Sequence, residues 1–416
     1  MTYVITQNCC NDATCAEVCP VDAIHPTPGE AGYATTEMLY IDPGACIDCG
    51  ACLEACPVDA AHPADELPDP LTRYIEINAG YYRANPTPAS PTAWRVEPKP
   101  VSSTAEPLRV AIVGSGPSGF YAAAHLLKTS GAPVEVSMFD RLPTPFGLVR
   151  AGVAPDHPHT KQVTDLFRWT AAHPSFHTYL NVEIGRHLDH AELLEYHHAV
   201  VYAVGAADDR RLDIPGEDLP GSHPATDFVA WYNGHPDYAS HTFDLNHKRA
   251  VVIGNGNVAL DVTRVLLLDA DSLARTDIAD HALAALAVSN IEEVVVVGRR
   301  GPAQAACTTP ELLALGDLDG IEVVVDPRGM PPSDEPATFT ARLKGRVLGE
   351  LAAAPRPGTK RIVLRFLSTP VDILGADHVE GLELARNRIV RDQAGALVAE
   401  PTGETETIDT GLVLRA

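Results

Sequence analysis

Leu108-Arg109-Val110-Ala111-Ile112-Val113-Gly114-Ser115-Gly116-Pro117-Ser118-Gly119 begins with a short, mostly apolar run and ends in G-x-G-x-x-G. The run reads as a strand, and the Ala/Leu-rich stretch from about Gly119 to Lys128 reads as a helix with Gly131 as its stop. Val134-Glu135-Val136-Ser137-Met138-Phe139 follows as a second strand. The same pattern returns at Arg249. There Ala250-Val251-Val252-Ile253 is the strand, Gly254 to Gly256 the turn, Val258 to Leu268 the helix and Glu293-Val294-Val295-Val296-Val297 the next strand. Two such β-turn-α-β units imply parallel sheets with crossover helices, an α/β fold.

Each turn has the chemistry of a dinucleotide cradle. Gly114 allows the tight turn, Gly116 lets a pyrophosphate approach the backbone, and Gly119 allows close helix–strand packing, with the helix N-terminus facing the phosphates. Asp140 ends the following strand, where an acid accepts from a ribose hydroxyl; a solvated strand-end Asp is the bland alternative. Gly254-Asn255-Gly256-Asn257-Val258-Ala259 is the second loop, and its next strand runs into Gly298-Arg299-Arg300. Guanidinium groups grip a 2′-phosphate that an acid would repel, so the second cradle is expected to prefer NADP to NAD. FAD in the first cradle and NADP in the second is the economical assignment.

Eight of the nine cysteines lie between Cys9 and Cys56, and only Cys307 lies outside. Cys46, Cys49, Cys52 and Cys56 follow C-x2-C-x2-C-x3-C with Pro57 next, a run in which three thiolates hold one iron–sulfur cluster and the fourth crosses to another. Cys9, Asp12, Cys15 and Cys19, with Pro20 next, repeat it with Asp in place of the second Cys. The crossover rule gives Cys46, Cys49, Cys52 and Cys19 to a [4Fe–4S] cluster. Cys9, Cys15 and Cys56 are left with a site expected to hold [3Fe–4S], or a second [4Fe–4S] if Asp12 holds a fourth iron. Cys10 has the wrong spacing and is expected to be a buried free thiol. A zinc site or a disulfide framework is the competing reading; neither accounts for the doubled three-residue gap plus Pro.

Composition narrows the function further. A net charge of −24, from 31 basic and 55 acidic residues, argues against a nucleic-acid partner. From Met1 to Thr72 there are twelve acidic residues and no Lys or Arg, a surface that steers toward basic partner patches or simply aids solubility. No apolar run is long enough for a membrane span, and the N-terminus lacks a basic, apolar leader, so a cytoplasmic location is expected.

Residues 108–416 resemble the adrenodoxin reductase-like ferredoxin–NADP reductases, and the whole chain resembles the actinobacterial form fused to a seven-iron ferredoxin. Besides the two Gly loops, the resemblance rests on four stretches. These are Leu142-Pro143-Thr144-Pro145-Phe146-Gly147-Leu148-Val149-Arg150, Gly152-Val153-Ala154-Pro155-Asp156-His157, Tyr202-Ala203-Val204-Gly205-Ala206, and Gly298-Arg299-Arg300-Gly301-Pro302. It implies two Rossmann-like domains, for FAD and NADP, preceded by a small α+β ferredoxin domain. The implied layout is ferredoxin at 1–84, a Pro-rich linker at 85–106, the first part of an FAD domain at 107–207, an NADP domain at 208–409, and at 410–416 the start of a strand returning to the FAD domain. The segment that completes the FAD domain in the family would follow that strand.

By the same resemblance, Ser118, Asp140, Leu148 and Ile184 contact FAD, with Asp140 in place of the family's usual Glu. Asn255, Gly256, Asn257 and Val258 form the NADP phosphate loop, Arg299 and Arg300 the 2′-phosphate grip, and Glu311 and Arg210 further NADP contacts. His157 lies near the flavin, where it orients the nicotinamide or relays protons, and Ala314 replaces a carboxylate that some relatives carry. The implied activity is hydride transfer between NADPH and FAD, with single electrons exchanged with the clusters and with ferredoxin or another redox protein. The alternatives are an electron carrier whose shortened reductase half is inactive, and an electron-input subunit like those feeding glutamate synthase.

Overall fold

The computed structural model describes residues 2–86, 106–128, 133–206, 209–327, 338–353, 357–393 and 397–416. Most of the expected linker and the expected helix stop at Gly131 lie outside them. The chain divides into two compact units, Met1–Val153 with His157–Asp208, and Ala154–Asp156 with Asp209–Ala416.

The N-terminal part of the first unit is built as two copies of one half. Strand Tyr3–Ile5 pairs antiparallel with Ala61–Pro63, and Ile24–His25 with Tyr40–Ile41. Helix Thr14–Val18 precedes Cys19, and helix Ala51–Ala55 precedes Cys56. The left-handed backbone positions repeat with the cysteines, Asn11 with Asp48, Ala13 with Gly50, and Asp22 with Asp59. Cys9 and Cys46, Asp12 and Cys49, Cys15 and Cys52 keep the same offset. Helix Arg73–Ala84 closes the two copies through Asn78, which is 1% exposed. The Asn78 amide accepts from Ile5 N (3.2 Å) and Ile41 N (2.8 Å) and donates to Ile5 O (2.9 Å) and Tyr74 O (2.8 Å), so one side chain holds both strand pairs to the helix.

The rest of the first unit is a four-stranded parallel sheet in the order Phe176–Leu180, Val134–Asp140, Leu108–Val113, Ala199–Tyr202. Helix Pro117–Lys128 makes the expected crossover and buries Phe120 against Phe167, with ring centroids 4.9 Å apart.

The second unit has a six-stranded parallel sheet in the order Ile321–Val325, Lys360–Arg365, Glu293–Val297, Arg249–Ile253, Leu412–Arg415, Ser222–Pro224. Its central strands are nearly continuous apolar runs, as sheets covered on both faces require. A three-stranded antiparallel sheet, Ser368–Leu374, Gly381–Arg391 and Leu397–Asp409, belongs to the same unit. Leu412–Arg415 departs from expectation. Rather than starting a return to the first sheet, it pairs in parallel with Arg249–Ile253 and Ser222–Pro224, and Leu412, Val413 and Leu414 are fully buried there. Burial of these three large apolar side chains favours that place in the second sheet.

Candidate functional site

No disulfide joins any of the nine cysteines. Cys19, Cys46, Cys49 and Cys52 line one recess together with Tyr3 and Ile24. Cys9, Cys15 and Cys56 lie near one another as the other group. Matching amides face the crossing thiols, since Ala23 N donates to Cys19 Sγ at 3.3 Å and Ala60 N to Cys56 Sγ at 3.2 Å. Burial pushes Cys9 and Cys52 up to about 11, so in the absence of a cation these thiols keep their protons. Asp12 sits with the three-thiol group, accepts a short hydrogen bond from Thr14, and has its carboxyl raised by burial. Cys10, expected to be buried, is exposed.

The first cradle is packed to the limit that glycine allows. A Cβ on Gly119 would stand 2.2 Å from Gly114 O, so the helix start lies against the turn as the motif requires. Gly119→Ala is expected to destabilise the protein by about 1–3 kcal/mol, read by the denaturation midpoint. Phe146 N donates to Ser115 O at 2.9 Å, which ties the loop before Leu148 to the turn. Asp140 accepts from Ser115 N (2.8 Å), Ser115 Oγ (2.6 Å) and Leu142 N (2.9 Å), bonds that shape the cradle itself. A carboxylate has about four acceptor positions, so one remains open. Ser118 and Leu148 are exposed beside the turn, while Ile184 packs against the buried cluster of Ala111, Val113, Phe139 and Leu193. His157 is half-buried at the start of the short helix Pro158–Lys161.

In the second cradle Gly254 has φ +123°, and a Cβ there would meet Ala416 O at 2.3 Å; at Gly256 a Cβ would meet open space. A bare, open backbone at the helix N-terminus fits a pyrophosphate. Asn255 and Asn257 also brace the segment that leads to Glu311. Asn255 O accepts from Cys307 N at 2.7 Å and Asn257 Oδ1 from Thr308 N at 2.8 Å. Val258, Arg210, Arg299 and Arg300 are exposed. Arg211, next to Arg210, is bound to Asp218 at 2.9 Å.

Sequence reasoning missed Arg264. It is 2% exposed, on helix Asn257–Leu267, and three carboxylates reach its guanidinium: Asp156 and Glu311 at 2.8 Å and Asp261 at 2.5 Å. Burial acts to lower its pKa, but those charges override it and raise it. Glu311, read as an NADP contact, is thus held first by Arg264. Its i,i+3 spacing from Asp261 was the available signal; the bonds to Asp156 and Glu311 are long-range.

The family described as 4Fe-4S binding domain matches residues 39–62, and the family described as pyridine nucleotide-disulphide oxidoreductase matches 108–301. A protein of Mycobacterium tuberculosis named probable ferredoxin/ferredoxin--NADP reductase is 51% identical over 100% of this chain and 71% of its own length. The chain belongs to the ferredoxin/ferredoxin–NADP reductase family. A second family member, from Mycobacterium leprae, is 49% identical over all of this chain and 73% of its own. Among solved structures, Mycobacterium tuberculosis FprA in complex with NADPH superposes with a TM-score of 0.72 at 52% identity, covering 75% of this chain and 70% of that one. The superposition bears out the α/β fold class with parallel sheets. Among the described residues no helix is long and apolar enough to cross a membrane.

Proposed function

We propose that this ferredoxin–NADP reductase exchanges electrons between NADPH and a one-electron protein acceptor of ferredoxin type, with FAD at the first cradle, a [4Fe–4S] cluster at Cys19, Cys46, Cys49 and Cys52, and a [3Fe–4S] cluster at Cys9, Cys15 and Cys56. When bound, the flavin supplies the conversion between a two-electron hydride and single electrons. The observation that carries the reading is the pair of cradles with opposite strand-end chemistry, Asp140 at one and Gly298-Arg299-Arg300 at the other, in one chain with two thiol groups sorted by the crossover rule.

The chain's own residues bind and orient. Gly114, Gly116 and Gly119 keep side chains off the flavin pyrophosphate, and Asp140 sets the turn and offers its remaining lone pair to the ribose. Asn255 and Asn257 hold the 306–308 segment while the amides at Gly256 to Val258 face the NADP phosphates. No described residue pairs with the guanidinium of Arg299 or Arg300, which leaves both to the 2′-phosphate. His157 is the residue proposed to orient the nicotinamide or hold a proton beside the flavin, and Arg210 to add an NADP contact.

Absorbance of the purified chain, followed by NADPH-driven reduction of cytochrome c, tests the proposal. Bound flavin, iron with acid-labile sulfide, and reduction faster with NADPH than with NADH support it. Protein holding zinc, or brown flavin-free protein indifferent to NADPH, overturns it. Arg299→Ala with Arg300→Ala is expected to raise KM for NADPH by about a hundredfold while leaving KM for NADH within about twofold, read from steady-state kinetics with each nucleotide.

A further inference from the structure

The Gly298-Arg299-Arg300 turn is held by the antiparallel sheet. Three successive carbonyls are engaged from it: Gly298 O accepts from Ser368 N at 3.1 Å, Arg299 O from Asn387 Nδ2 at 2.9 Å, and Arg300 O from Leu367 N at 3.1 Å. Leu367 itself has φ +53°, and its carbonyl accepts from Asn387 N at 2.8 Å. Asn387 therefore grips the turn with its side chain and grips the loop that holds the turn with its main chain. Its side chain is 3% exposed. The Nδ2 group has two hydrogens, and the second goes to Thr369 Oγ1 at 2.7 Å. A carbonyl offers no hydrogen, so the nitrogen of the amide must face Arg299. Asn387 also sits where the pairing of Gly381–Arg391 with Leu397–Asp409 shifts register, between Ala385 and Asn387. Bulges of this kind re-aim a side chain, and here the side chain is aimed into the turn.

We propose that Asn387 is a positioning residue for nucleotide selectivity: by fixing the Arg299 peptide it sets the direction in which the two exposed guanidinium groups meet a 2′-phosphate. The proposal rests on the reading of Arg299 and Arg300 as the 2′-phosphate grip. Long exposed side chains with no described partner take their aim from the main chain, and a two-point charged grip tolerates little misdirection. Losing the Asn387 side chain frees the Arg299 carbonyl while Gly298 O and Arg300 O stay bonded, and it removes neither charge, so the adenine and 5′-phosphate contacts of the cradle stay as they were.

The test is calorimetric titration of the full-length protein with 2′,5′-ADP and with 5′-AMP, which reads the site without any turnover. In the unsubstituted protein 2′,5′-ADP binds the tighter of the two. Asn387→Ala is expected to weaken 2′,5′-ADP by about tenfold and 5′-AMP by less than about twofold. Thr369→Val, which removes only the amide's second acceptor, is expected to shift the same ratio in the same direction by a smaller factor, and it carries the test if Asn387→Ala does not fold. Equal weakening of both nucleotides, or an unchanged ratio in folded variants, overturns the role of Asn387. An unsubstituted protein that binds the two nucleotides equally overturns the assignment of the Arg pair instead, so the two failures are distinguishable.

Discussion

Arg264→Met is expected to lower the unfolding free energy by about 3–5 kcal/mol, the cost of removing one partner from a buried ion cluster. Chemical denaturation followed by tryptophan fluorescence measures it. Arg264 is the cation shared by Asp156, Asp261 and Glu311, whose side chains are 13% to 18% exposed. Without it three poorly hydrated carboxylates face one another, and the methionine side chain refills the volume but not the charge. The sign follows from that asymmetry. Taking away all four charged groups together would be far milder than taking away the one that compensates the rest. Arg264→Lys keeps the charge but not the planar fork that reaches three partners, so an intermediate loss is expected. A midpoint unchanged by Arg264→Met would mean that the cluster is already well solvated.

Cys52→Ser is expected to remove about four iron atoms per chain, measured as iron and acid-labile sulfide on the reconstituted protein. Cys52 is buried in the recess it shares with Cys19, Cys46 and Cys49, and serine offers a hard oxygen where a soft thiolate is needed. Two companions sharpen the result. Cys10→Ser, at an exposed thiol outside the motif, is expected to leave the iron content unchanged. Asp12→Cys is expected to add about one iron, because it completes the second four-thiolate run. Equal losses from Cys10→Ser and Cys52→Ser would defeat the assignment.

Both features proposed to carry the chemistry can be read from short stretches of sequence. A cysteine run specifies its cluster within a dozen residues, and a Gly loop specifies a turn, a close approach and a helix start within six. What was not readable depends on pairing over long separations. Leu412-Val413-Leu414 is an apolar run that fits any covered parallel sheet, and only the partners Arg249–Ile253 and Ser222–Pro224 decide which one takes it. Arg264 meets a carboxylate 108 positions earlier, and Asn387 a carbonyl 88 positions earlier, and neither residue type advertises such a bond. Asp140 was readable as an acid at a strand end. Its use in fixing Ser115 was not, because a side chain that shapes a turn and one that binds a ligand look alike in sequence.

The two cysteine-bearing copies are alike in backbone but unlike in electrostatics, and this difference bears on which way electrons run. Cys49 in one copy corresponds to Asp12 in the other, and Asp12 is already engaged by Thr14. On the proposed assignment three thiolates would hold the group on the Asp12 side and four the group on the other, and cluster type, charge, hydrogen bonding and exposure together set a reduction potential. Two groups so differently held would not share one potential, so passing an electron between them would be uphill in one direction, and Asp12→Cys would narrow that gap by making the two copies chemically alike.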